Sequence, residues 1–156
     1  MSPLPSKPRG MYFEEFESGQ EIITTGRTIT EADVVSFAGL SGDYTQIHTD
    51  IEYSRNTPIG QRIAHGLLIA SIVSGLAAQT GVLEGTVIVF REISEWKFIR
   101  PVFFGDTIHA VMTVKETKAM PRAGGGLVSI GIDVIKQNGE VVNRGIWVVL
   151  MASTPK

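Results

Sequence analysis

Cysteine is absent from this 156-residue chain, which excludes thiol nucleophiles, disulfides and thiolate metal centres together. Net charge is nearly absent too. Fourteen basic and 16 acidic side chains give −2, so no positive field awaits a phosphate backbone and nucleic acid is not expected as a partner. Long apolar runs are also missing. The longest, Gly66 to Ala78, is interrupted by Ser71 and Ser74 and falls short of the roughly 20 residues that cross a bilayer. The first ten residues hold three prolines and no apolar leader core, so a cytoplasmic protein with no membrane partner is expected.

What remains is ordinary globular composition, 43% hydrophobic and 19% charged, enough for one domain. Residues 1–10 read as a flexible lead-in and 11–156 as the domain. Glu21 to Ile29 mixes β-branched and polar residues like a half-exposed strand. Thr30 followed by Glu31 and Asp33 is a helix-start signal, and Gly39 and Gly42 end that helix. Asp50 to Asn56 predicts another short helical piece. From Ala64 to about Thr80 nearly every residue is apolar or small, which predicts a central helix buried on all sides. After Gly85 four strands follow, the last two joined by an Asn138-Gly139 hairpin, with a flexible connection over Met120 to Gly126. The expected fold class is α+β: a curved antiparallel sheet wrapped around a long central helix. Its open edges need cover, and a homodimer is the simplest one.

The chemistry concentrates between Phe37 and Leu76. Asp43 and His48 lie five residues apart, about 140° around a helix axis, so a loop or irregular turn is needed to aim both at one point. An acid and an imidazole with a pKa near 6.5 can share a water and exchange its proton. Gly66 opens the apolar helix, whose first N–H groups lack partners and carry partial positive charge. With no side chain, it can admit a thioester oxygen to those donors. Each feature has a plainer reading: Asp43 as a turn acid, His48 as a loop imidazole, Gly66 as a packing glycine. Serines such as Ser71 and Ser74 are more often helix serines bonding back to the preceding turn than substrate contacts. His65 reads as structural, orienting the active loop from beside the helix start, and His109 as a half-exposed ring in a strand.

Ser41-Gly42-Asp43-x-x-x-Ile47-His48-x-Asp50, then Ile63-Ala64-His65-Gly66-Leu67-Leu68, resembles the hydratase motif of the MaoC-like, hot-dog-fold dehydratases, in particular the R-specific enoyl-CoA hydratases. Phe98-x-x-Pro101-Val102-Phe103-x-Gly105-Asp106-Thr107 is similar to that family's later strand and turn. The resemblance covers roughly residues 20 to 152. It implies that Asp43 and His48 activate a water, that Gly66 supplies an oxyanion N–H, and that Ser74 and Thr45 contact substrate. It also implies a dimer acting on acyl-CoA or acyl-carrier thioesters, with no metal and no cofactor beyond the substrate's own coenzyme A. One departure stands out: Thr45 and Gln46 replace the family's usual Asn-Pro, which keeps a hydroxyl but removes a rigid φ.

Three functions follow. The leading expectation is a hydro-lyase that adds water to a trans-2-enoyl-CoA, the acyl group being plain, branched or of the dicarboxylic mesaconyl type. A hot-dog thioesterase usually carries a carboxylate on or beside the central helix, and residues 64–80 contain none. A non-catalytic acyl-thioester binding module is the third. Arg62, Lys97, Arg100 and Arg122 are the candidate cations for coenzyme A phosphates, none assigned individually.

Overall fold

Buried and half-exposed residues alternate with a period of two along β4 (Thr107–Met120), β5 (Gly125–Lys136) and β6 (Val141–Ala152), as in strands with one face on a core. Ile108, Ala110 and Met112 share that face with Ile130, Ile132, Val134, Trp147 and Val149, all nearly inaccessible. The computed structural model describes residues 9–155. Most of the expected lead-in therefore lies outside the described residues. Its last two positions are already fixed: Arg9 pairs with Glu84 at 2.8 Å and the Gly10 N–H reaches the Glu84 carbonyl at 2.9 Å.

The remaining elements are β1 (Glu21–Ile23), β2 (Arg27–Thr28), α1 (Glu31–Ser41), α2 (Gln46–Thr49), α3 (Ile51–Arg55), α4 (Gly66–Gln79) and β3 (Val87–Phe98). All strand pairs are antiparallel, in the order β1-β4-β5-β6-β3, with β2 also on β4. The α+β expectation of an antiparallel sheet around a long helix holds. The single expected strand over residues 21–29 is instead two short ones. Thr24 breaks it by bonding Ala110 through both backbone and hydroxyl. The Met120–Gly126 connection is tighter than expected, a 3₁₀ turn (Pro121–Ala123) closed by Gly124 at φ 74°.

Helix α1 starts as its sequence predicts. The Thr30 hydroxyl accepts from the Asp33 N–H, and the Asp33 carboxylate accepts from the Thr30 N–H. Gly42 closes it at φ 76°. Helix α4 lies on the sheet through Leu68, Ile69, Ile72, Val73 and Leu76, each side chain contributing about 2 kcal/mol by its burial. It is not buried all round, as expected from its composition: Leu67, Ser71, Ser74, Gly75 and Ala78 face outward. Along the sheet's far edge, no strand among the described residues pairs with the outer side of β3, and Ile88, Phe90, Ile93 and Phe98 are exposed. Among the described residues no helix is long and apolar enough to cross a membrane.

Candidate active site

Three short segments converge on the N-terminus of α4. The left-handed Gly42 turns the chain sharply after α1, and the Asp43 N–H bonds the Ser41 hydroxyl at 3.1 Å. Asp43 thus stands in a turn, while His48 sits in the one-turn helix α2, where irregular backbone was expected throughout. The two side chains meet because only one of them is helical. Asp50 caps α3 by accepting from the Tyr53 N–H at 2.9 Å, which returns the chain toward α4.

His48 Nδ1 lies 2.7 Å from the Ile63 carbonyl. A carbonyl only accepts, so Nδ1 carries the proton and Nε2 keeps its lone pair. His65 repeats the pattern: its Nε2 donates to the Asp43 carbonyl at 2.9 Å, tying the active loop to the start of the helix. The two imidazoles stack with centroids 3.8 Å apart. Burial holds His48 below its ordinary 6.5; His65 pushes the same way, against the Ile63 carbonyl and Asp43. His48 is therefore neutral, and a base, at pH 7.

Asp43 is exposed. The Thr45 hydroxyl (2.5 Å) and N–H (3.1 Å) both donate to its Oδ1. Together with the histidines they hold its carboxyl below the ordinary value, against a small burial cost. A carboxylate oxygen of Asp43 and a ring nitrogen of each histidine lie within 4.8 Å of one another. That spacing fits one water bonded to both Asp43 and His48. It suits a single metal ion poorly, because stacked rings aim their in-plane lone pairs side by side and an ion needs them to converge at about 2.1 Å.

Gly66 is the first residue of α4, and His65 before it offers no side-chain cap to the free N–H groups. A Cβ at position 66 would stand 2.6 Å from the Phe98 ring, so the close approach of that ring requires glycine. Asp43, His48, His65 and Gly66 line one cavity of about 430 Å³, with Ile59, Ile63, Phe98 and Val102 also on its wall.

Ser74 and Thr45, expected at the substrate, are not brought to this cavity. Ser74 lies more than two turns beyond Gly66 on the outward face of α4, its hydroxyl bonded to the Ser71 carbonyl at 2.6 Å. Thr45 faces Asp43 instead. Of the four candidate cations Arg100 alone lines the cavity; Arg62 pairs with Glu31 at 2.7 Å, and Lys97 belongs to a separate groove. Sequence reading missed Phe98 and Asn143 as lining residues. An asparagine inside the apolar run of β6 was the available signal, because strands disfavour it.

A helix cradled in an antiparallel sheet, with an acid–imidazole pair at its N-terminus, defines a hot-dog domain with a built site. A Mycobacterium tuberculosis protein described as a double hotdog fold superposes with a TM-score of 0.82 at 18% identity, over 96% of this chain and 46% of its own. Residues 15–133 match the model of the MaoC like domain, and the chain belongs to that family. Protein MaoC of Klebsiella aerogenes is 40% identical over 70% of the chain, which spans only 32% of that relative's length. The (R)-specific enoyl-CoA hydratase of Aeromonas caviae is 32% identical over 81% of this chain and 98% of its own. A solved structure titled monoamine oxidase regulatory protein, from Archaeoglobus fulgidus, is 37% identical with a TM-score of 0.88, covering 94% of this chain and 97% of the other.

Proposed function

We propose that this chain is a hydro-lyase that reversibly adds water to a trans-2-enoyl-CoA thioester, giving the (R)-3-hydroxyacyl-CoA. The observation that carries the reading is the Asp43–His48 pair, spaced to hold one water in a cavity that also contains the start of α4. Water bound between the two groups loses a proton to the pair as its oxygen attacks C3, and the proton returns to C2 on the same face. The developing enolate oxygen lies against the Gly66 N–H, where the helix N-terminus favours negative charge. Ionised Asp43 and neutral His48 form one coupled acceptor, so the first proton belongs to the pair. The hydratase name borne by the Aeromonas caviae relative supports this activity.

The same reading includes a homodimer. The unpaired β3 edge and the outward face of α4 together leave an apolar surface whose simplest cover is a second copy. The test of activity is the fall in enoyl-thioester absorbance with crotonyl-CoA and no release of free thiol. Asp43→Asn and His48→Ala should each abolish it; wild-type rates in both variants would sink the reading. Release of free CoA would instead indicate a thioesterase, although α4 carries no acid.

A further inference from the structure

Asn143 is a polar side chain on the core side of β6, 2% exposed, between Val142 and the Gly145–Trp147 stretch. Its Nδ2 has no hydrogen-bond partner among the described residues. It lines the same cavity as Asp43, His48 and Gly66. Strand register pairs it with Phe98 on one side and Val134 on the other. The amide thus lies on the inner side of the ring that packs on Gly66. Exposed Asp43, Ile59, Leu67 and Phe98 mark the cavity's open side, whereas buried Ala64, Ile69 and Val102 share the closed side with Asn143.

Coenzyme A is too large for the closed side, so the thioester enters from the open one and the atoms beyond C3 point inward. A plain alkyl tip would satisfy Ala64, Ile69 and Val102 and leave the buried Nδ2 as unpaired as before, whereas an acyl oxygen that reaches it gains a hydrogen bond worth about tenfold or more in binding. Resting on the hydratase reading, we propose that Asn143 sets acyl specificity: the cavity prefers 2-enoyl thioesters whose acyl group bears a hydrogen-bond-accepting oxygen beyond the double bond. A hydroxyl and a carboxylate share that chemistry. Sites built to bond a substrate oxygen reject the analogue without it far more strongly than apolar pockets reject an added methylene.

The test compares kcat/KM on crotonyl-CoA, trans-4-hydroxy-2-butenoyl-CoA and the CoA monothioester of fumarate, for the wild-type chain and Asn143→Leu. The wild type should favour at least one oxygenated substrate by about tenfold or more. In Asn143→Leu that preference should collapse, the ratio of oxygenated to crotonyl-CoA kcat/KM falling by about tenfold or more. The two oxygenated substrates separate hydroxyl from carboxylate. An equal loss on all three substrates would place the amide at the thioester or the water and overturn the proposal, as would a wild type that prefers crotonyl-CoA. If Asn143→Leu does not fold, the wild-type ranking alone decides. A wild type that hydrates none of the three overturns the hydratase reading itself, and this proposal with it.

Discussion

Two aspartates of this chain have nearly the same local setting. Each follows a left-handed glycine, Gly42 at φ 76° before Asp43 and Gly105 at φ 91° before Asp106, and each has a threonine within two residues. Asp106 is buried, with both oxygens claimed: Oδ2 accepts from the Phe103 N–H (2.8 Å) and Lys136 Nζ (3.1 Å), Oδ1 from Gln137 Nε2 (2.8 Å). Asp43 is exposed at the cavity, and its two bonds from Thr45 fall on Oδ1, leaving Oδ2 open. The difference lies in the count of donors around the carboxylate. An acid with both oxygens saturated holds the fold; one with an oxygen left over is available for chemistry.

Replacing each acid by its amide should separate the two roles. Asp43→Asn leaves the turn intact but removes the charge that helps hold water. Its hydratase kcat should fall about 10²–10⁴-fold, with thermal unfolding little changed. Asp106→Asn should do the opposite. It removes the nearer of the two acids that face buried Lys136, leaving only half-exposed Glu140 at 3.7 Å, and should cost about 3 kcal/mol in denaturant unfolding with kcat per folded molecule unchanged. Burial raises the Asp106 carboxyl, but the bonds from Gln137, Phe103 and Lys136 win and set it below the ordinary 3.8. A depressed acid stabilises the fold above its unfolded pKa and loses that contribution as pH falls through its folded one. The stability of Asp106→Asn should therefore fall less steeply below about pH 4 than that of the wild type.

Smaller changes sharpen the contrast. Gly66→Ala pushes a methyl against the Phe98 ring beside the proposed oxyanion donor. Activity should drop about tenfold, while half-exposed Phe98 swings aside and keeps the unfolding free energy within about 1 kcal/mol. Thr45→Val gives the mildest effect. Losing its donated bond returns Asp43 toward the ordinary carboxyl value, so the acid limb of the pH–rate profile moves to higher pH. The rate at pH 7 should change by about threefold or less.

Much of this contrast was legible in the chain itself. The Thr30–Asp33 capping box, the strands after Gly85 and the Asp43–His48–Gly66 constellation are local signals, written in spacings of a few residues. His65 was read as an orienting residue, and its bond to the Asp43 carbonyl is that role made visible. Other features depended on the third dimension. Helix α2 is four residues long, too short for any periodicity to announce. The outward face of α4 is made of small, uncharged residues, Ser71, Ser74, Gly75 and Ala78 beside Leu67, which a fully buried helix also tolerates, so it carried no charged stripe to mark it as exposed. Ser74 fell on the uncovered side, and the Thr45 hydroxyl bonds Asp43. Asn143 is distant in sequence from every other cavity residue except through the β3–β6 register.

That register has a consequence for how the molecule is made. Among the described residues β3 pairs only with β6, whose Asn143 lies 45 positions after Phe98. On the ribosome β3 must wait for its neighbour, for roughly several seconds at about 5–20 residues per second. During that interval its apolar side chains have neither a flanking strand nor a finished core. The cavity wall that Phe98 and Asn143 share cannot exist until the C-terminal strand arrives. A nascent chain halted near residue 140 would thus carry the Asp43–His48 loop and α4 but an unclosed pocket and an orphaned strand. The segment that completes the sheet also completes the site.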